Sequence, residues 1–438
     1  MTARPKTILE MNAFRGGEAH DLLARRLANT GAATVLFYRD PLVLVRGRGA
    51  WVEAADGRRF LDAYNNVFPL GHAHPRVVAA LARQAGEIAI NSRYLNETTE
   101  RYLERLKATL PAALENVVLV CTGSEANDLA LRIARAATGR QGVIVTETAY
   151  HGNTAAVTEI SPASWKRGGP PPFVRLVPAP SAAHSGDDVA TGFAQAIALA
   201  ARSLEEAGYG LASFICDTVF SSDGVHVDPP GFLAPAVAMV RRHGGLFVAD
   251  EVQPGFGRTG QGMWGFARHG VVPDVVTMGK PMGNGYPMAA VATRHELLAA
   301  LCERAGYFNT FAATPVAAAV GNAVLDVLEE EGLIANAARR GHQLKAGLLA
   351  MAQRSPLIAA VRGAGLFIGV ELAGDDAPAR VEALVDALRE RGVLVGAAGR
   401  YGETVKIRPP LCLSEEEAGF FLDAFGDALA AVAQRALG

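Results

Sequence analysis

No stretch of this 438-residue chain comes near the roughly 20 consecutive apolar residues of a membrane-spanning helix. An excess of one charge is also missing: 42 basic against 44 acidic residues leave a formal net charge of −2. That balance gives no electrostatic reason to bind nucleic acid or an anionic membrane. Cysteine is scarce. The four thiols, Cys121, Cys216, Cys302 and Cys412, lie far apart and form no CxxC pair. Neither a disulfide framework nor a zinc site is expected, and buried free thiols are. The first six residues, Met1 to Lys6, run into polar sequence without the apolar centre of a secretory leader, so the expected location is the cytoplasm. What is present is half hydrophobic, one-fifth charged, and carries 47 glycines that are not gathered into linkers. That is the profile of a compact enzyme.

Residues 42–63 read as a small antiparallel meander, turning at Asp56-Gly57. Beyond residue 75, helical and strand patterns alternate. Helices are expected at 75–90, 98–110 and 124–137, and strands at 117–120, 142–146, 214–217, 246–250 and 275–278. Short β-rich runs between longer helices predict an α/β architecture with a mostly parallel sheet covered on both faces. Residues 168–188, rich in Pro, Ser and Gly, read as a surface excursion. After a long helix at 315–331 the pattern becomes that of a smaller α+β unit, with strands at 363–372, 393–396 and 404–407. A helix at 378–391 lies between them, and a final helix is capped by Ser414. The expected division is an amino-terminal segment (1–70) packing with the small domain, a large domain (71–325) and the small domain (326–438).

Lys280 follows the apolar run Val275-Val276-Thr277-Met278 and opens a glycine-rich turn, Gly283-Asn284-Gly285. Thirty residues earlier, Leu246-Phe247-Val248-Ala249 ends in Asp250. A lysine after a strand is commonly just a solvated end. An amine at one strand end with a carboxylate at the next is also what pyridoxal 5'-phosphate (PLP) requires. The amine binds the aldehyde as a Schiff base, and the acid keeps the pyridine nitrogen protonated. Thr122-Gly123-Ser124-Glu125 joins a strand to a strong helix, whose free N–H groups make a phosphate cradle. It reads equally as a plain strand–turn–helix with Ser124 as the cap. Tyr150, at the same sheet edge, is an aromatic able to stack on a pyridine. Gly255-Phe256-Gly257-Arg258-Thr259-Gly260 matches a dinucleotide fingerprint, but the residues after it do not open a helix, so that reading is set aside.

With these residues in order along it, the chain resembles the class III aminotransferases, PLP enzymes of fold type I, over nearly its whole length. The likeness runs through Asp62-Ala63-Tyr64-Asn65-Asn66, Gly71-His72-Ala73-His74-Pro75, Thr122 to Asp128 and Tyr150-His151-Gly152. It continues through Asp250 to Gly260, Lys280 to Gly285, Phe308-Asn309-Thr310-Phe311 and Val361-Arg362-Gly363. The resemblance implies a large domain with a mostly parallel sheet plus a smaller α+β domain. It implies that Lys280 carries PLP, Asp250 faces the pyridine nitrogen and Gln253 the phenolic oxygen. Gly123 and Ser124 would take the phosphate, with Tyr150 against the ring. Thr310 would reach the phosphate of a neighbouring subunit, making a homodimer with shared active sites. Arg408, in Lys406-Ile407-Arg408-Pro409-Pro410, falls where the family keeps an anion-binding arginine.

The reaction implied is transfer of an amino group from an amino acid or ω-amine to a 2-oxo acid. The alternative is elimination of phosphate from an O-phosphorylated amine such as O-phosphoethanolamine. Within the family the likeness is nearest to the branch holding ethanolamine-phosphate and phosphohydroxylysine phospho-lyases, through Asn91-Ser92-Arg93-Tyr94-Leu95 and Ile160-Ser161-Pro162 among others. Many transaminases of the family have a glutamate that neutralises the anion-binding arginine, and Ser222 falls there. Two departures bear on the substrate: Ala312-Ala313-Thr314-Pro315 replaces the branch's Gly-Gly-Asn-Pro, and residues 178–188 are shorter and less basic. Arg93 and Arg408 are the expected anion contacts, with Tyr94 and Trp264 as walls; Trp264 also reads as a core aromatic.

Overall fold

The computed structural model describes residues 6–7, 10–11, 13–14 and 21–435. Residues 1–5, read above for their lack of a leader, lie outside them. Fifteen strands form three sheets among the described residues. The meander supplies β1 (Leu44–Arg48), β2 (Trp51–Ala54) and β3 (Arg59–Asp62). The large sheet takes β4 (Asn116–Val120), β5 (Gly142–Thr146), β6 (Val174–Val177), β7 (Leu211–Asp217), β8 (Leu246–Asp250), β9 (Val275–Met278) and β10 (Ala289–Thr293). The last stretch adds β11 (Ile358–Ala364), β12 (Phe367–Leu372), β13 (Val393–Leu394), β14 (Gly396–Ala398) and β15 (Thr404–Ile407).

The large sheet runs β4-β10-β9-β8-β7-β5-β6, parallel from β9 to β6, with β10 antiparallel to both its neighbours. Every residue of β5, β8 and β9 is buried, as expected of continuous apolar runs covered on both faces. Because these strands point the same way, the residues after β4, β5, β8 and β9 gather at one edge of the sheet. Ligands of parallel sheets bind at that edge. The helix Gly123–Thr138 packs across the sheet and buries Leu129, Ile133 and Ala134.

The structure corrects the sequence reading in four places. Val174–Val177, inside the stretch expected to be a surface excursion, is the outer strand β6; prolines before it suit an edge, where a missing N–H costs little. Strand β10 was not anticipated, because Ala289-Ala290-Val291-Ala292 has little β preference and is held by two flanking ladders. Residues 363–372 are not one strand but most of the β11–β12 hairpin, reversed at Gly365 in the left-handed region (φ 53°). The expected strand 393–396 splits: β13 joins β3 in parallel, and β14 joins β15.

That β3–β13 pairing ties the chain's early and late parts together. Backbone bonds from Arg408 N–H to Ala63 and from Leu411 N–H to Pro69, both 2.7 Å, extend the tie. No helix among the described residues is long and apolar enough to cross a membrane.

Candidate active site

The amino end of the Gly123–Thr138 helix is built by a capping box. Thr122 Oγ1 accepts from Glu125 N–H at 3.2 Å, and Glu125 Oε2 accepts from the N–H groups of Cys121 (2.7 Å) and Thr122 (3.0 Å). Thr122, not Ser124, is therefore the cap. With that work done elsewhere, the N–H groups of Gly123 and Ser124 have no acceptor among the described residues. They point, with the positive end of the helix dipole, at an adjoining cavity. This cavity, of ≈ 140 Å³, is lined by Gly123, Ser124, Tyr150, His151, Gly152, Asp217, Asp250, Val252, Gln253 and Lys280. Gly152 is obligatory there: its φ is 138°, and a Cβ would come within 2.5 Å of Ser124 Oγ.

Asp250 ends β8 with its carboxylate held on three sides. Its Oδ2 accepts from Asn127 Nδ2 at 2.9 Å and lies 2.7 Å from His151 Nδ1, while Oδ1 accepts from Val252 N–H at 3.1 Å. Asn127 is fixed in turn by Thr277 Oγ1 and the His151 carbonyl. His151 Nε2 is buried without a partner among the described residues. Lys280 follows β9 with a φ of 29°, a left-handed conformation that strains a residue bearing a Cβ. Burial pushes its amine below the usual lysine range; Asp250 pulls it back up, and Arg408 pushes it further down.

Two further cations approach from the carboxyl-terminal sheet. Arg408 is buried, its guanidinium carbon 4.6 Å from the Tyr64 ring centroid and its Nη1 donating to Gln253 Oε1. Gln253 donates to Ser221 Oγ at 2.7 Å. Arg408 Nε is buried and unpartnered, and no carboxylate among the described residues lies within ion-pair distance of the group. Burial is the main reason its pKa falls below the ordinary arginine value. Ser222 is buried nearby. The adjacent Asp223 turns away to accept from Thr146 Oγ1 (2.9 Å) and Thr148 Oγ1. Lys406, two residues before Arg408, is 2% exposed.

The structure thus brings together Gly123, Ser124, Tyr150, Asp250, Gln253 and Lys280, with Arg408 bonded to Gln253. It does not bring Arg93 or Tyr94 to this cavity; Thr310, expected to serve a neighbouring subunit, also lies outside it. Arg93 is exposed and lies over the Phe308 ring at 4.2 Å, and Tyr94 is 63% exposed. Thr310 lines a separate, larger cavity with Ile90, Tyr286 and Phe311. Arg93 and Tyr94 sit on a turn between helices, where the Arg93 N–H donates to Asn91 Oδ1. Trp264 is a core aromatic, its indole N–H bonded to the Thr109 carbonyl. No α-helix opens directly after Gly255–Gly260, only a short 3-10 turn at Gly265–His269, so the dinucleotide motif's helix is missing there. Of the thiols only Cys216 is fully buried; Cys302 is exposed.

Asn127, His151 and Lys406 were missed as functional candidates. Asn127 was detectable as a polar residue three positions after Ser124, on the same helix face. Lys406 was detectable as a strand neighbour two residues from Arg408, on the same sheet face.

A cradle for phosphate at a helix start, a strained lysine and a clamped carboxylate at adjacent parallel strand ends define an enzyme site for PLP. The lining suits a phosphate-bearing aromatic ring: Val252 and Tyr150 line the cavity beside the Gly123 and Ser124 amides, and a Cβ at Gly123 would lie 3.0 Å from the Val252 methyls. The Aminotransferase class-III family model matches residues 37–429, and the chain belongs to this family, whose cofactor is PLP. It is 38% identical over 431 residues to an alanine–glyoxylate aminotransferase 2-like protein of Drosophila melanogaster, covering 94% of this chain and 87% of that protein. It is 33% identical to ethanolamine-phosphate phospho-lyase homolog 1 of Caenorhabditis elegans, covering 90% of each. Among solved structures it is similar to an Arthrobacter phospholyase in complex with phosphoethanolamine. The TM-score is 0.90 and the identity 43%, over 94% of this chain and all of that one.

Proposed function

We propose that this enzyme eliminates phosphate from a small O-phosphorylated primary amine of the phosphoethanolamine type. The observation that carries the reading is Arg408: a buried guanidinium with no carboxylate within ion-pair distance among the described residues, and Ser222 where the resemblance leads one to expect an acid. A buried cation left open in this way suits a permanently anionic substrate group. The identities to an Arthrobacter phospholyase and a nematode phospho-lyase homologue support the same choice.

When bound, PLP supplies an electron sink to the carbon next to the substrate amine. Lys280 holds the cofactor and then, as a free amine with a lowered pKa, takes the proton from that carbon. Asp250, oriented by Asn127 and His151, would keep the pyridine nitrogen protonated, and Gln253 would serve the phenolic oxygen. Gly123, Ser124 and the helix dipole would hold the cofactor phosphate, with Tyr150 available to the ring. Arg408 grips the substrate anion and, through Gln253, links it to the cofactor's edge.

Transamination is the second reading. It is favoured by the identity to alanine–glyoxylate aminotransferase 2-like proteins and by the equal fit of a guanidinium to a carboxylate. The experiment is to add O-phosphoethanolamine to the holoenzyme without any 2-oxo acid and assay inorganic phosphate alongside the visible spectrum. Phosphate release with the yellow colour retained supports elimination. Bleaching without phosphate supports transamination.

We further propose a homodimer. Leu95 and Phe311 are 95% and 79% exposed beside Tyr94 and the cavity that Thr310 lines, a surface a second copy would cover.

A further inference from the structure

The Gln253 amide is engaged at both ends, and the two ends are not alike. Its Oε1 accepts from Arg408 Nη1 and, at 3.5 Å, from Asn66 Nδ2, while its Nε2 donates to Ser221 Oγ at 2.7 Å. An arginine can only donate, so Oε1 must face Arg408 and Nε2 must face Ser221. Ser221 is buried in the loop after β7. Its N–H donates to Asp217 Oδ2 at 3.2 Å, and Val219 N–H donates to Oδ1 at 3.0 Å. With its oxygen taken by Gln253, the Ser221 hydroxyl has its own proton to give, and the Asp217 carboxylate is the acceptor beside it. Burial raises the Asp217 pKa, and the bond from the Ser221 side chain lowers it again.

Asp217 ends β7 in register with Asp250, and it is the one residue of that strand that is not fully buried. It lines the same cavity as Lys280 and Gln253. The hydrogen bonds therefore run one way, from Arg408 to Gln253 to Ser221 to Asp217, starting at a cation and ending at an anion. Such a row polarises along its length, and each member fixes the next. It gives the buried guanidinium a counter-charge at a distance and leaves Arg408 Nε unpartnered. A carboxylate in direct contact would have to be displaced by every incoming anion; a neutral amide competes less.

We propose that Asp217 and Ser221 are positioning residues that act through Gln253 to hold Arg408 ready for the substrate's anion. This rests on the reading above that Arg408 takes that anion, and it serves a phosphate or a carboxylate alike. Without the Asp217 charge, Ser221 is free to donate to Gln253. The amide can then turn over, setting its N–H groups against those of Arg408. The two possible roles of Asp217 differ in sign. As an acid lining the cavity it would simply repel an anion, and its removal would tighten anion binding. As the anchor of the row, its removal loosens binding, because the guanidinium is no longer preorganised.

The test uses holoenzyme carrying Asp217→Asn or Ser221→Ala, each alone and combined with Arg408→Lys. Cofactor loading is read from the visible absorbance, inorganic phosphate binding by calorimetry, and kcat and KM with O-phosphoethanolamine. Each single variant is expected to weaken phosphate binding by about fivefold or more and to raise KM similarly, with loading unchanged and a smaller change in kcat. Beside Arg408→Lys the same substitutions should alter phosphate binding by less than about twofold, because the row has lost the group it holds. Unchanged or tighter phosphate binding in either single variant overturns the proposal, as does a loss that persists in full beside Arg408→Lys. Should Asp217→Asn not load, Ser221→Ala decides. A wild type that binds no phosphate leaves the row nothing to position and overturns it too. If the wild type binds phosphate but releases none from O-phosphoethanolamine, the elimination reading alone fails, and calorimetry still decides on the row.

Discussion

Asn127 donates to Asp250 at 2.9 Å while accepting from Thr277 Oγ1 at 2.6 Å, so one amide joins the helix of the phosphate cradle to β8 and β9. The acid is thereby aimed from the same helix whose amino end forms the cradle. Asp250→Asn keeps the shape and removes the charge, and it sets an amide against the Asn127 N–H donor. The protein is expected to fold and to bind cofactor while kcat falls about a hundredfold or more, the loss typical of removing one charge-stabilising group. Unchanged kcat would show that the acid does not face the pyridine nitrogen.

Lys280→Ala should abolish the cofactor's visible absorbance on the protein and lower turnover by at least about a thousandfold, since both covalent attachment and proton transfer are lost. Absorbance spectroscopy after gel filtration, with far-UV circular dichroism as the folding control, reads both. Retained activity would end the assignment.

Arg408→Lys exchanges a fork stacked on Tyr64 for a point charge. KM for an anionic amine is expected to rise about tenfold, equivalent to about 1.4 kcal/mol. KM for an uncharged amine should stay within a factor of two. Equal effects on both substrates would mean that Arg408 shapes the pocket and does not grip the anion.

Glu251 is wholly buried and accepts from Thr218 Oγ1 (2.7 Å) and from the N–H groups of Gly265 (2.7 Å) and Phe266 (2.8 Å). Burial outweighs these bonds and pushes its pKa from 4.5 up to about 7. The folded state therefore keeps a proton that the unfolded chain has released. The resulting stability is full below pH 4.5 and lost as pH rises through about 7, roughly 3 kcal/mol in all. Urea midpoints at pH 5 and pH 8 should converge in Glu251→Gln, which is expected to be less stable at pH 5 because one oxygen replaces two. A pH slope identical to wild type would show that Glu251 is ionised in both states.

Phe311→Glu combined with Leu95→Asp places two charges on the exposed apolar surface beside Thr310. If that surface joins two copies, sedimentation equilibrium should show half the wild-type mass at micromolar concentration. Activity should fall with it. A wild type that sediments as a monomer would remove the dimer proposal.

The parallel core was legible because its strands are uninterrupted apolar runs, and β5, β8 and β9 begin and end where the runs do. Strand β10 was not, since alanines take their form from neighbours, and β6 was hidden by the prolines before it. At the site, Lys280, Asp250 and the Thr122–Glu125 turn announced themselves by lying at strand ends. Ser124 could be read either as a phosphate ligand or as the cap because any small hydroxyl residue there would serve; only the two-way bonding of Thr122 and Glu125 gives the cap to Thr122. The place of Lys406 two residues before Arg408 was legible, but its burial was not, because that depends on two glycines in other strands. Ala313 takes a positive φ (56°), the left-handed region where a Cβ is strained, so alanine at this position has a backbone cost that the sequence did not reveal.

The backbone of Lys280 sits at φ 29°, where glycine would rest without strain. The residue proposed to carry the reaction is thus also one whose backbone the fold would hold more easily as glycine. Lys280→Gly should melt higher than Lys280→Ala. A library screened only for yield or heat resistance would shed the reactive amine early, and thermal robustness in this fold is no guide to whether a variant still works.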